Sequence, residues 1–336
     1  MDISVIIPVF NSERYILDSV ESLLTQDFTG TYEILVVDDC STDNTATVLE
    51  KYRDEPRLRI LRTPRNSGYP TAMNIGIDEA KGKYIARMDA DDICHQSRLS
   101  VEFDLHEQHT DEIAFVSCTR FWLTYTGKPY HQAAKDDRPW KFETWQDLHE
   151  NNRQFTDVGT LFLKDRAIAA GKYNTYQRTG MDVDMWLRIM ELTEKPCMLI
   201  QAPMIGKRLL PDSLIFQPKT TNANKVPRIL ASFRKENKLP PHVRPSEQWL
   251  EETRASLPSA PGQYKKVSMI MEVAMINYYM NDIKGYLKFL SYACTRNFLQ
   301  TLKLVGSYMI RPRRTGFIPG LPKISVTGSA AVLETI

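Results

Sequence analysis

Three groups of acidic residues stand where apolar runs give way to polar chain: Asp38-Asp39, Asp89-Ala90-Asp91-Asp92, and Asp182 with Asp184. Asp89 and Asp91 are two apart in what reads as extended backbone, which places both carboxylates on one side with Ala90 opposite. Paired hard oxygen ligands of that sort suit Mg²⁺ or Mn²⁺. Asp182 opens an amphipathic segment, where a positioned carboxylate can take a proton from a hydroxyl, a service worth ~10² to 10⁴ in rate. Asp184 competes for that role, and capping the helix is the plainer role for either.

The elements that must position these residues are legible in the first third of the chain. Short β-branched runs at 3–8, 33–37, 59–62, 84–88 and 113–118 alternate with helical patterns, the signature of a parallel sheet covered by helices. One helix follows a cap at Asn11 or Ser12 and repeats Ile16, Val20, Leu23 and Leu24 at buried-stripe spacing. Others follow Ser41, span 71–81 to a stop at Gly82, and span 97–108. Ligands of such a sheet bind outside the carboxyl ends of the strands. The first strand ends in Pro8-Val9-Phe10-Asn11, the second in Asp38-Asp39, the third leads to Arg65-Asn66-Ser67-Gly68, and the fourth ends at Asp89, so the polar signals share one edge.

Residues 127–152 read as an irregular insertion, and 159–163 resumes apolar periodicity. A helix is expected over 182–194, with Trp186 and its Met neighbours in the core, whereas His95, His106 and His109 belong on or near a solvated helix and take no catalytic role. Proline punctuation from Pro211 to Pro245 then precedes a helical, Met- and Tyr-rich stretch to about Ile310. The organisation expected is a catalytic domain over 1–218 and a helical region over 219–336 that serves acceptor, membrane-surface or oligomer contacts.

Several function classes lose their support. The loop after the first strand has no glycine and the chain has no GxxxxGK[ST] run, so neither a dinucleotide fingerprint nor a P-loop is present. A phosphoacceptor receiver would place an acidic pair where this chain has Asn11, and a nucleotidyltransferase would want a Gly-rich, Arg-containing loop there. What remains is a nucleotide-shaped edge furnished with carboxylates, which repel phosphate and therefore call for a bridging cation. Lys and Arg total 43 against 41 Asp and Glu in 336 residues, too even a balance to attract nucleic acid nonspecifically. Five scattered cysteines, no signal-like N-terminus and no long apolar run lead us to expect reduced thiols and a cytoplasmic location. The stretch 284–314 mixes Tyr286, Leu287, Phe289 and Phe298 with Lys288, Arg296, Lys303 and Arg311, a composition that suits either a helical cap on the core or peripheral contact with the inner face of a membrane.

Ser4 to Asn11, Val36 to Asp43, Asn66-Ser67-Gly68, Met88 to Asp92 and Asp182 to Arg188, taken together in that order, resemble glycosyltransferase family 2 over roughly residues 3–215. The resemblance implies a GT-A fold, a Rossmann-like mixed α/β sheet flanked by helices, here with a helical C-terminal extension. It implies an inverting transferase that uses Mn²⁺ or Mg²⁺ and a nucleoside-diphosphate sugar, UDP-linked, with a carbohydrate or lipid-linked acceptor in bacterial surface polysaccharide or lipopolysaccharide synthesis. By that similarity Pro8, Val9, Phe10, Asn11, Glu13 and Asp39 hold the nucleotide. Asn66, Gly68, Asp89 and Ala90 complete the donor site, Asp89 and Asp91 form the DxD element with Asp91 nearest the metal, and Asp182 is the base. The usual Glu-Asp pair is Met181-Asp182 here, Met73 stands where an arginine is often found, and Arg208 stands near the place of a common histidine and is assigned to the diphosphate. The competing expectation is a catalytically idle sugar-nucleotide-binding or assembly protein on the same fold; a homo-oligomer is compatible with either.

Overall fold

All seven residues of β1 (Ile3–Val9) are buried, and the two-residue side-chain period divides them between two cores. Ile3, Val5, Ile7 and Val9 join one hydrophobic cluster and Ile6 the other. β2 (Tyr32–Asp38) repeats the division, with Ile34 and Val36 on the first face and Leu35 and Val37 on the second. A sheet buried on both sides needs helices on both sides. α1 (Ile16–Leu24), α2 (Thr45–Leu49) and α4 (Arg98–Gln108) cover the first face; α3 (Tyr69–Glu79), α6 (Lys164–Ala169) and α7 (Met181–Thr193) cover the second. Each fully buried Leu, Ile or Val contributes roughly 1.5 to 3 kcal/mol.

The computed structural model describes residues 1–132, 138–150, 158–177, 180–211, 225–243, 246–257, 270–271, 273–277, 280–298, 300–301, 304, 317–319, 324–327 and 330–333. β3 (Leu58–Arg62) and β4 (Tyr84–Arg87) complete a parallel unit in the order β3-β2-β1-β4, so all four strands deliver their following loops to one edge. Strand order reverses between β1 and β4, which places the loop after β1 beside the loop after β4. Beyond β4 the sheet turns mixed. β9 (Thr160–Leu163) pairs antiparallel with β4 and with β6 (Val116–Leu123), and β10 (Cys197–Arg208) runs parallel to β6 and antiparallel to the short β5 (Ile93–Cys94).

Gly82 does not end α3, which stops at Glu79. Its role is close approach: a Cβ there would lie 2.4 Å from the Ser4 backbone nitrogen. Residues 127–150 are also more regular than their composition suggests. They hold β7 (Pro129–Gln132), β8 (Trp140–Glu143) and α5 (Trp145–Glu150), each too short to show a period; β7 is anchored by the buried Tyr130 and α5 by the buried Leu148, while β8 is held by pairing with β10. Residues 151–152 lie outside the described residues. His106 departs from expectation too. It is fully buried on α4, edge-on to the Tyr84 ring with centroids 4.8 Å apart.

C-terminal to β10, α8 (Lys225–Glu236) packs on α7, and α9 (Glu247–Ser256) packs on α8. The helical segment 273–277 and α10 (Ile283–Arg296) grip the turn between β6 and β7. Tyr125 N–H donates to Asn277 Oδ1 at 3.0 Å, and Asp282 caps α10 through Gly285 N–H while its other oxygen accepts from Thr126 N–H at 2.9 Å. β11 (Phe317–Pro319) joins the main sheet beside β7, and β12 (Ile324–Thr327) pairs with β13 (Ala330–Leu333). Leu299, Leu302, Lys303, Arg311, Arg313 and Arg314 of the basic stretch, and Asp212 and Ser213 after Arg208, lie outside the described residues. All five cysteines are free thiols. Among the described residues no helix is long and apolar enough to cross a membrane.

Candidate active site

The acidic element after β4 is a tight turn rather than extended chain, closed by Asp92 N–H donating to the Asp89 carbonyl at 3.4 Å. The turn brings Asp89, Asp91 and also Asp92 together, with one carboxylate oxygen from each within 4.8 Å of the others, while Ala90 is buried beneath. Its shape is imposed from three directions. Ser19 of α1 donates to the Asp92 carbonyl at 2.5 Å and to that of Asp89 at 3.2 Å. Arg208 at the end of β10 donates its N–H to Asp92 Oδ1 at 2.8 Å and its Nε–H to the Asp91 carbonyl at 2.9 Å. Arg98 of α4, paired with the buried Glu102, donates Nη2–H to the Arg87 carbonyl at 2.9 Å.

Three converging carboxylates repel one another in a drying environment. Burial, followed by the charge of Asp89, pushes the Asp91 carboxyl up to about 6. Asp92, fully buried, is raised well above the usual carboxylate range, again chiefly by burial. Asp92 Oδ2 has no hydrogen-bond donor, although Lys207 Nζ stands 3.6 Å away and also 3.5 Å from Asp89 Oδ2. An oxygen-only donor set with one buried oxygen lacking a donor fits a hard divalent cation such as Mg²⁺ or Mn²⁺.

The neighbouring loops lock onto each other. Asn11, in the left-handed region at φ 51°, accepts from Thr42 N–H at 2.8 Å and donates its own N–H to Ser41 Oγ at 3.0 Å. Glu13 accepts from Asn44 N–H at 2.8 Å. Asp38 accepts from Ser41 N–H, a turn-capping role. Asp39 is buried and gathers the loop after β3, accepting from Thr63 Oγ1 at 2.9 Å, Ser67 N–H at 2.9 Å and Gly68 N–H at 2.7 Å. Gly68 meets that geometry with φ of 87°, a conformation a side chain would resist, and starts α3. Pro8 and Val9 are buried within β1; Phe10 and Asn66 are exposed on the same edge.

The two acids of α7 separate cleanly. Asp184 is 2.9 Å from Arg188 Nη2 and 3.3 Å from Arg234 Nη1 of α8, all three side chains buried, so it is a structural anchor. Asp182 faces the other way, its Oδ1 3.5 Å from Arg87 Nε. The same guanidinium reaches Asp89 Oδ1 at 3.1 Å, hydrogen-bonds the Tyr69 hydroxyl and lies over the Tyr69 ring. Trp186 is core, edge-on to Phe162 at 5.1 Å. Arg208 is not aimed at open solvent. Its Nη2 pairs with Asp18 at 2.7 Å and its guanidinium lies over Tyr15. Arg87, Asp92 and Lys207 are the residues of this site that sequence reasoning missed. Asp92 was visible beside the DxD pair; a charged residue inside an otherwise apolar strand was the remaining hint for Arg87.

A mixed sheet of strand order 3-2-1-4, flanked by helices and carrying its carboxylate cluster at the reversal point, is the GT-A architecture. Two crystal structures of Staphylococcus aureus TarS, residues 1–349, share it. The complex with UDP superposes with a TM-score of 0.55 at 16% identity over 99% of this chain and 96% of that one, and the complex with UDP-GlcNAc with 0.57 at 15% over 99% and 97%. The model of the family described as "Glycosyl transferase family 2" matches residues 4–169. The Bacillus subtilis protein described as "Putative teichuronic acid biosynthesis glycosyltransferase TuaG" is 33% identical over 198 residues, 56% of this chain and 72% of that protein. The chain belongs to glycosyltransferase family 2. The S. aureus poly(ribitol-phosphate) beta-N-acetylglucosaminyltransferase TarS is 36% identical over 118 residues, 34% of this chain, and the match spans only 21% of the length of that relative.

Proposed function

We propose that this protein transfers a sugar from a nucleoside-diphosphate sugar, UDP-linked, to a hydroxyl of a glycan or lipid-linked saccharide, with inversion at the anomeric carbon. The observation that carries the reading is the placement of Asp182 one guanidinium away from the Asp89, Asp91 and Asp92 cluster, Arg87 lying 3.5 Å from the one and 3.1 Å from the other. A base and a cation-binding edge at that separation can flank a reacting carbon. Asp182 takes the acceptor proton, the acceptor oxygen bonds to the anomeric carbon, and the bond from that carbon to the diphosphate oxygen breaks with its electron pair leaving on the nucleoside diphosphate. Asp91, with Asp89 and Asp92, would hold a divalent cation, which would neutralise the charge that develops on that leaving group. Pro8 to Asn11, Glu13, Asp39, Asn66, Gly68 and Ala90 line the nucleotide side, and Arg208 fixes the turn that presents the carboxylates. Residues 1–218 form the catalytic part, and 219–336 serve acceptor, membrane-surface or oligomer contacts. The names of the S. aureus and B. subtilis relatives favour cell-surface polysaccharide synthesis, and the UDP and UDP-GlcNAc complexes of TarS favour a UDP-linked donor.

The test is nucleotide release from UDP-, GDP- and dTDP-sugars with Mn²⁺ or with EDTA, for the wild type, Asp91→Ala and Asp182→Asn. Metal-dependent release from one donor that both substitutions abolish supports the transferase. Nucleotide binding without release from any donor, across broad acceptor mixtures, sinks it in favour of an idle sugar-nucleotide-binding protein.

A further inference from the structure

The last residue of β4 is an arginine in a strand otherwise built of Tyr84, Ile85 and Ala86. Its side chain is 4% exposed, and alternation along the strand sends it to the face covered by α3 and α7. Both helices start there: Tyr69 is the first residue of α3, and Asp182 the second of α7. The guanidinium is therefore enclosed by the Tyr69 ring, with its centroid 5.0 Å away, by Asp182 at 3.5 Å and by Asp89 at 3.1 Å. The backbone is fixed as well, since the Arg87 carbonyl accepts from Arg98. A planar, permanently charged fork held on three sides has little freedom to leave.

Asp89 belongs to the cation-binding turn and Asp182 to a helix that starts almost a hundred residues later in the chain. Each is placed by its own element, and Arg87 contacts both. We propose that Arg87 is the positioning residue of this site, holding the Asp182 carboxylate at a fixed distance from the carboxylates that receive the donor. The inference rests on the reading of Asp182 as the base. Arg87 stays bound to its two carboxylates throughout and exchanges no proton. Its contribution is to keep one oxygen of Asp182 aimed at the acceptor hydroxyl. Misplacement of a reacting group by an ångström can cost about a hundredfold in rate.

The experiment compares wild type with Arg87→Met, Arg87→Lys, Asp182→Asn and the Arg87→Met/Asp182→Asn pair. Turnover is read as UDP release from the UDP-sugar panel, and binding as calorimetry of UDP in the presence of Mn²⁺. Arg87→Met is expected to lower kcat by about a hundredfold while UDP binds as tightly as in wild type or more so, because a positive charge competing for Asp89 has gone. Arg87→Lys is expected to recover at least about tenfold of that loss, since a lysine ammonium can pair with one carboxylate but not clamp two. The double variant is expected to turn over no more slowly than Asp182→Asn alone. Loss of UDP binding in step with kcat, full turnover in Arg87→Met, or a loss of the same factor in the Asp182→Asn background each overturns the proposal. Where Asp182→Asn turnover falls below detection, the binding-against-kcat split and the lysine rescue decide the matter. Wild-type turnover in Asp182→Asn identifies a different failure, that of the base assignment itself.

Discussion

Lys207 Nζ stands 3.5 Å from Asp89 Oδ2 and nearly as close to Asp92 Oδ2, so the carboxylate turn carries a cationic partner of its own from β10. A divalent ion entering that turn meets the ammonium as a competitor. Replacing Lys207 with Met should therefore lower the metal-free thermal midpoint by about 2 to 4 °C, the equivalent of about 1 kcal/mol in a domain of this size. Millimolar Mn²⁺ should then raise the midpoint further in the variant than in the wild type. Fluorimetric melting with and without the ion reads both effects, and equal Mn²⁺ shifts in the two proteins would exclude the competition.

Asp184 and Asp182 should respond to substitution in opposite ways. Removing the Asp184 carboxylate leaves Arg188 without its pair and strips Arg234 of one of two, both in the interior, a change worth about 3 to 5 kcal/mol. Urea denaturation of Asp184→Ala should show that loss. Asp182→Asn should retain UDP binding while turnover disappears.

The stability of the protein should fall on mild acidification through His106. Burial, with help from the Arg166 charge, pulls its imidazole down to about 4. The folded protein therefore keeps this ring neutral where the unfolded chain, with an ordinary value near 6.5, takes up a proton. Stability from this group is intact above about pH 6.5 and is lost as pH falls toward 4, by about 2 kcal/mol at pH 5. Urea midpoints at pH 7 and pH 5 should differ less in His106→Gln than in the wild type; an unchanged difference would clear His106 of the effect.

Asp39→Ala should loosen the loop after β3, because the carboxylate accepts from Ser67 N–H, Gly68 N–H and the Thr63 hydroxyl at once. Leaving those donors unmet costs about 1 to 3 kcal/mol. UDP affinity should drop by about tenfold or more, measured by calorimetry with Mn²⁺, with a proportionally smaller change in kcat.

The parallel unit was legible because β1 to β4 are β-branched runs of ordinary length that end in polar turns. Asp39, Asp89, Asp91 and Asp182 could be singled out for the same reason. Harder to see were the cations that answer them. Arg87 sits inside a buried strand, where composition alone suggests a side chain that snorkels to solvent. Lys207 lies near the end of β10, a strand whose pattern is broken by Pro203 at a register shift against β6. His106 looked solvated because its helix neighbours are Glu107 and Gln108; its burial follows from the Tyr84 ring across the interface, a partner from another element. The period of short elements such as β7 and β8 could not be read at all, since four residues hold barely two repeats.

The family match ends at residue 169, while the backbone contact that shapes the acidic turn spans 116 residues, from Asp92 to Arg208. During vectorial synthesis every recognisable motif of the first half is therefore extruded before the strand that gives the turn its form. Closure of so long a loop comes late in the ordering of contacts. A nascent chain arrested after α6 would display the carboxylates of the turn without Arg208 to hold them in place.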